Sequence, residues 1–161
     1  MQSVGEKTYS RAVKEGKYDL YVGNLFGKYD NVRTYWEDQL TRIALRPFLS
    51  ELVESRRQEN RGLRIIDLGC GAGQGYDILT KIDRLDLDLG LQHHRVLPES
   101  DMAMYLGLDI SQAMVERGQT LFNDKPQVDF AQADLRQGLG EIKAKESPFD
   151  IYFSSYGSLS H

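Results

Sequence analysis

The chain has 161 residues and a formal net charge of −4, with 40% apolar and 27% charged residues, the balance of one soluble globular domain. No apolar run approaches bilayer-spanning length, and the mild acidity gives no electrostatic ground for a nucleic-acid backbone as partner. The lone cysteine, Cys70, excludes an internal disulfide, and the opening Met-Gln-Ser-Val-Gly-Glu-Lys lacks the apolar core of a secretory leader, so the expected location is cytoplasmic.

Residues 1–30 mix Tyr9, Tyr18, Tyr21 and Tyr29 with Gly16, Gly23 and Gly27 and read as an irregular arm with at most one short helix. Val32, Tyr35, Trp36, Leu40, Ile43 and Ala44 then recur at three- and four-residue steps, which predicts an amphipathic helix over 31–45 with Asp30 as N-cap. Pro47 is expected to break or kink it, with Phe48, Leu49, Leu52 and Val53 on a second helical piece. A charged exit over 54–61 closes this N-terminal arm and helical cap, residues 1–61.

The core unit, 62–161, opens with the apolar stretch Leu63 to Ile66, of which Ile65 and Ile66 read as a short buried strand. Then comes Asp67-Leu-Gly69-Cys70-Gly71-Ala-Gly73-Gln-Gly75, a tight glycine turn into a helix beginning near Gln74. Glycine permits positive φ and lets a ligand approach without a Cβ in the way, and a fresh helix start offers unpaired N–H groups. Such a turn is a cradle for a polar cofactor at a strand's carboxyl end. The spacing is not the dinucleotide Gly-x-Gly-x-x-Gly, whose third glycine would fall on Gln74, Tyr76 or Ile78. A nicotinamide cofactor is therefore disfavoured.

Tyr76, Ile78, Leu79 and Ile82 make the following helix, and a second strand fits 104–110. Ser111 should cap a helix carrying Ala113, Met114, Val115, Leu121 and Phe122, ending near Asn123. A third strand fits 128–131, a short helix Leu135, Leu139 and Ile142, and a fourth strand 149–153. Alternating strands and helices predict an α/β fold with a parallel sheet and helices on both faces. Asp109, at the end of the second strand, can accept hydrogen bonds from both ribose hydroxyls of an adenosine cofactor; it reads equally as a cap on the next helix. Asp134, just past the third strand, also reads as a helix cap.

The Asp-x-Gly-x-Gly-x-Gly turn resembles motif I of the class I S-adenosylmethionine-dependent methyltransferases. The segment Leu108-Asp109-Ile110-Ser111 with Met114, the run Asp129 to Leu135, and the run Phe149 to Ser158 resemble the segments that follow it in that family. The resemblance implies a Rossmann-like sheet of order 3-2-1-4, truncated before strands five to seven, and S-adenosylmethionine as cofactor. It implies that Asp67, Gly69, Cys70, Gly71 and Gly73 face the methionyl part, with Asp67 orienting the loop and the cofactor amino group. Asp109 would hold the ribose, Ile110 would pack on the adenine, Met114 belongs to the same segment, and Asp134 and Leu135 would read the adenine edge. Ser154, Ser155 and Tyr156 either orient an acceptor or line the cofactor. The Asn/Asp-Pro-Pro-Tyr form is absent there, which argues against methylation of adenine or glutamine nitrogen. Tyr21, Tyr29 and Trp36 are candidates for a cap over the cofactor, though Trp36 also reads as an ordinary core residue.

Two features depart from the family pattern. The stretch from Asp67 to Asp109 is about twice what one helix and one strand need, which marks 83–103 as an insertion. Leu85, Leu87, Leu89 and Leu91 alternate there with Asp86, Asp88 and Gly90, as in an extra strand or hairpin. His93 and His94 follow; neighbours in a strand point oppositely, so a solvated loop is the reading and no metal site is expected. The second departure is that the fourth strand lies close to the chain's end. The chain therefore reads as the N-terminal part of a longer domain, or as one that self-associates through an uncovered fourth strand. The implied reaction is methyl transfer to an acceptor, a small molecule rather than nucleic acid and with no membrane partner. The alternative is a non-catalytic module or inactive fragment that holds S-adenosylmethionine or S-adenosylhomocysteine. No general base stands out, His161 being the remaining histidine.

Overall fold

The computed structural model describes residues 11, 32–84, 95–140, 142 and 148–155. The arm with Tyr21 and Tyr29, the expected cap Asp30, the leucine-alternating stretch with His93 and His94, Tyr156 and His161 lie outside the described residues.

Strands β1 (Leu63–Leu68), β2 (Met102–Asp109), β3 (Val128–Gln132) and β4 (Ile151–Phe153) form one parallel sheet in the order β3-β2-β1-β4. This is the expected order. β1 is central: Ile65 pairs with Tyr105 on one side and Ile151 on the other. The period of two sends Leu63 and Ile65 into the larger core and Ile66 into a second cluster on the opposite face.

The steps from β1 to β2 and from β2 to β3 run in the same direction. Right-handed crossovers therefore put their helices, α2 (Gln74–Thr80) and α3 (Gln112–Leu121), on the same face. The larger core joins Tyr76, Ile78 and Leu79 of α2 to Met114 and Val115 of α3 and to Leu49 and Val53 of the N-terminal helix. The step from β3 to β4 reverses direction and passes across the other face. Leu135, Leu139 and Ile142 cover Ile66, Leu106 and Leu108 there, beginning with a single 3-10 turn at Leu135–Gln137.

The N-terminal helix differs from its expectation. α1 runs unbroken over Val32–Gln58 with Pro47 inside it. Proline removes one backbone hydrogen bond and crowds the preceding turn. Pro47 faces solvent, while Leu45, Leu49, Leu52 and Val53 pack on the core to either side of it, so burial holds the helix together across the defect. Trp36 is 57% exposed, which removes the core reading of that residue. The end of α1 is tied to the start of β4. The Asp150 carboxylate accepts from Arg56 Nε at 2.9 Å, Arg61 Nη2 at 2.8 Å and the Arg64 backbone N–H at 2.9 Å. Burial alone would raise the Asp150 pKa, but these donors bring it below the usual carboxylate value.

β2 begins at Met102, two residues before its expected start. Asp83 and Arg95 form an antiparallel bridge, and Val96 and Leu97 are wholly buried in the main core. Ile151 and Phe153 of β4 also turn into that core, beneath the helices, and Tyr152 is the residue left exposed, at 52%. Among the described residues, no helix is long and apolar enough to cross a membrane.

An aromatic layer lies between sheet and helices: Tyr76 sits 4.9 Å from Phe122 and 5.4 Å from Tyr105, and Phe130 sits 5.7 Å from Phe122. A Cβ added at Gly118, inside α3, would fall 2.8 Å from the Phe130 ring. Helix propensity alone favours alanine there by roughly 1 kcal/mol. The ring is 3% exposed and hemmed in, so packing decides the sign. Gly118→Ala should destabilise the fold by about 1–3 kcal/mol, read as a lower denaturant midpoint at unchanged slope. A midpoint equal to or above wild type would show that the layer yields.

Candidate functional site

The carboxyl ends of all four strands lie along one edge, where ligands bind in open α/β sheets. The turn from β1 to α2 occupies its centre. Gly69, Gly71 and Gly73 all have positive φ, at 76°, 56° and 103°. Leu108 O of β2 accepts from the N–H groups of Gly69 at 2.8 Å and Cys70 at 3.0 Å, pinning the turn's entry. At Gly73 an added Cβ would fall 2.5 Å from Phe122, whereas at Gly71 it would meet nothing within 4 Å among the described residues. Gly73 is small because the core presses on it; at Gly71 no described residue does so.

Asp109 secures the turn from the neighbouring strand. Its Oδ2 accepts from Gly71 N–H at 2.9 Å, and its Oδ1 from Ser111 N–H at 2.8 Å. Burial raises its pKa, and the N–H groups of Ser111, Gly71 and Ile110 oppose that rise. Ser111 stands at the N-cap of α3 as expected, yet its side chain makes no cap bond, and its Oγ is buried without a hydrogen-bond partner.

Asp67 is fully buried at the end of β1. Its Oδ2 accepts from the Tyr105 hydroxyl at 2.5 Å, and that hydroxyl in turn accepts from Tyr76 N–H at 3.1 Å. Asp67 Oδ1 is buried with no hydrogen-bond partner among the described residues. A Cβ at Gly75 would fall 2.1 Å from Asp67 Oδ2, so glycine is what lets α2 come this close. Burial pushes the Asp67 pKa up to about 7; the Tyr105 hydroxyl pulls it down and the Asp109 charge adds to the rise. Sequence reasoning did not single out Tyr105. A tyrosine on the inward face of a buried strand, across from an acid, is the signal that would have found it.

The remaining candidates divide. Cys70 and Met114 turn their side chains into the main core, at 1% and 2% exposure, so only the backbone of Cys70 belongs to the turn's surface. Burial raises the Cys70 thiol well above its usual pKa, which makes it inert. Ile110 is half-buried beside Asp109, and its carbonyl accepts from the Gln132 side chain at 2.9 Å. Asp134 behaves as a local cap: it accepts from Arg136 N–H at 3.1 Å, and from Arg136 Nε at 2.8 Å and Nη2 at 2.6 Å. Arg136 is the main cause holding its pKa down at about 2. Half-buried Leu135 follows it, packed on the second core cluster. Ser154 and Ser155 lie at the end of β4 on the wall of a cavity of about 500 Å³ between that strand, α1 and α2. Glu37 and Thr41 of α1 line the same cavity, and the sequence did not single them out. Their four-residue spacing, continued by Leu45, was the available signal.

No protein-family model matches the chain, and no curated protein matches it. Among solved structures it is similar to magnesium protoporphyrin IX methyltransferase from Synechocystis PCC 6803 with bound S-adenosylmethionine. The match has 17% identity and a TM-score of 0.51, over 94% of this chain and 59% of that one. It is also similar to the trans-methyltransferase CalH in complex with S-adenosylhomocysteine, at 21% identity and a TM-score of 0.47, over 91% of this chain and 40% of that one. A TehB-like methyltransferase from Corynebacterium glutamicum matches at 16% identity and a TM-score of 0.44, over 95% of this chain and 58% of that one. The chain spans between about a fifth and three fifths of the length of the solved structures it matches. The first of these similarities establishes the fold, a Rossmann-like parallel sheet flanked by helices, which that solved structure shares.

The raised Asp67 pKa has a definite consequence for stability. Below the unperturbed value of 3.8 the proton is present in folded and unfolded chains alike, and burial carries no charge penalty. As pH rises from there to about 7 the unfolded carboxylate ionises while the buried one keeps its proton, so Asp67 removes stability across that window and no more above it. Asp67→Asn should abolish this contribution. Relative to wild type, the variant should gain in denaturant midpoint at ~pH 8 more than at ~pH 5. Equal shifts at both pH values would mean that the acid titrates normally.

Proposed function

We propose that the chain binds S-adenosylmethionine and belongs to a methyltransferase acting on a small molecule. The observation that carries this reading is the Gly69–Gly73 turn, clamped by Asp109, with Gly71 open to a ligand and the partnerless Asp67 Oδ1 buried beneath it. A cofactor with a compact polar end and an adenosine suits those groups. A solved methyltransferase of the same fold holds S-adenosylmethionine.

Each group then has a task. The positive-φ glycines present backbone N–H groups to the methionyl end without side-chain obstruction. A cationic amino group near Asp67 favours the charged form of that carboxylate and offsets its burial. Asp109 spends one lone pair of Oδ2 on Gly71 and one of Oδ1 on Ser111, and has others for the ribose hydroxyls. Ile110 supplies an apolar surface for the adenine. Asp134 already accepts three hydrogen bonds from Arg136, so the backbone at Leu135 is the readier reader of the adenine edge. The cofactor supplies an electrophilic methyl group: the acceptor's lone pair forms the new bond as the sulfur–carbon bond breaks and its electron pair returns to sulfur. The protein's main contribution is to hold the two partners in line.

Calorimetry should therefore register binding of S-adenosylmethionine and S-adenosylhomocysteine, and weaker or no binding of NAD. NAD binding as tight as either would overturn the reading. Asp109→Ala removes the ribose acceptor and releases Gly71 and Ser111 together. At about 1.5–3 kcal/mol per charge-assisted hydrogen bond, cofactor affinity should fall on the order of 100-fold or more. An affinity within about threefold of wild type would place the ribose elsewhere.

A further inference from the structure

The Tyr105 hydroxyl stands between two groups that fix its polarity. Tyr76 N–H, in the first turn of α2, can only donate, and the hydroxyl accepts from it at 3.1 Å. Its one proton is left for Asp67 Oδ2, at 2.5 Å. Gly73, at the N-cap of α2, has no side chain to cap that turn, so a strand residue does it. The reach follows from the register. Gly107 is the β2 residue paired with Asp67 and brings no side chain; Tyr105, two residues earlier on the same face, spans the gap. The ring is fixed as well: it is fully buried, 5.4 Å from Tyr76 and 6.1 Å from Phe130.

This contact makes the two oxygens of Asp67 unequal. Oδ2 faces a donor, so when the acid carries a proton, Oδ1 is the oxygen left to bear it. A cationic amino group would be held at that same oxygen. Proton and ammonium compete for one atom.

We infer that Tyr105 is a positioning residue for the cofactor's amino group: it fixes Oδ2 of Asp67, keeps Oδ1 for the ammonium, and so couples cofactor uptake to release of the Asp67 proton. This rests on the cofactor reading above and adds to it the residue that orients the acid and the pH dependence that results. Among the described residues, Asp67 is surrounded by Tyr105 and Asp109 of β2, Cys70 of the turn, Gly75 and Tyr76 of α2 and Phe153 of β4. Asp77, further along α2, pairs with Lys81 and Arg42. Burial foremost raises the Tyr105 hydroxyl and the Cys70 thiol well above their usual values, so both stay neutral. Burial pushes Asp67 up to about 7; the Tyr105 hydroxyl opposes that rise and the Asp109 charge adds to it.

The test compares S-adenosylhomocysteine with methylthioadenosine, which keeps the nucleoside and the sulfur but lacks the amino-acid end, by calorimetry of the full chain across pH. With Asp67 titrating at about 7, S-adenosylhomocysteine should bind about tenfold tighter at ~pH 8 than at ~pH 6. Methylthioadenosine should stay within about twofold over that range, and because it keeps the ribose it also reports any titration of Asp109. Asp67→Asn should flatten the S-adenosylhomocysteine profile. Tyr105→Phe keeps the ring and removes the hydroxyl. It should move the midpoint of the profile upward by about one pH unit or more and leave methylthioadenosine within about twofold. In the wild-type chain, the proton resonance of the buried Tyr105 hydroxyl should shift on binding S-adenosylhomocysteine and not on binding methylthioadenosine. A Tyr105→Phe profile that superimposes on wild type, equal losses for both ligands, or a profile that survives Asp67→Asn overturns the proposal. A hydroxyl resonance indifferent to which ligand binds does so even where the variant fails to fold. Failure of both ligands to bind the wild-type chain overturns the cofactor reading instead.

Discussion

The hold of Asp109 on two separate turns is the contact on which the site depends. One carboxylate at the end of β2 accepts from Gly71 in the loop after β1 and from Ser111 at the start of α3. Left to itself, a loop rich in glycine has more conformations to lose than any other stretch of the same length. One hydrogen bond to Asp109 and two to Leu108 O fix it between adjacent parallel strands. The parallel sheet makes this possible, because only parallel neighbours deliver β1 and β2 to the same edge with their carboxyl ends together. A ligand meeting Gly71 thus meets a surface already ordered, and does not bear the entropy of ordering it.

Asp67 shows the opposite economy. It is fully buried, one oxygen lacks a partner, and its proton is held to about pH 7. An isolated buried acid destabilises a fold, and a protein built for stability alone would place an apolar residue there. The surroundings are instead arranged to keep it: Gly75 gives it room, and Tyr105 relays a hydrogen bond from the first turn of α2. Strain of this kind concentrates where a ligand completes the missing interactions. The partnerless Ser111 hydroxyl, a few residues from Asp109, belongs to the same pattern.

Much of this was legible in the chain because its signals are local. Ile65 and Ile66, the glycines after Asp67, and the steps of Met114, Val115 and Leu121 each declare their element within a few residues, whereas the order of the strands rests on the family resemblance. What escaped depends on distant partners. Pro47 reads as a break until Leu45, Leu49 and Val53 are seen packed on the core around it. Asp134 reads as a ligand contact or a cap with equal right, and only the position of Arg136 shows where its oxygens point. Gly118 reads as a weak point in a helix, although its place is set by the Phe130 ring, which comes from another strand. Glu37 and Thr41 gain meaning only once α1 lies beside the end of β4.

The central claim is that the edge built by Asp67, the glycine turn and Asp109 is where a cofactor binds, and its most direct measurement is a map of amide shifts on titrating S-adenosylhomocysteine into the labelled chain. The account predicts the largest changes at Gly69, Gly71 and Gly73 and at Asp109 to Ser111, with smaller ones at Leu135. Saturable binding whose shifts avoid the glycine turn and the end of β2 would contradict it.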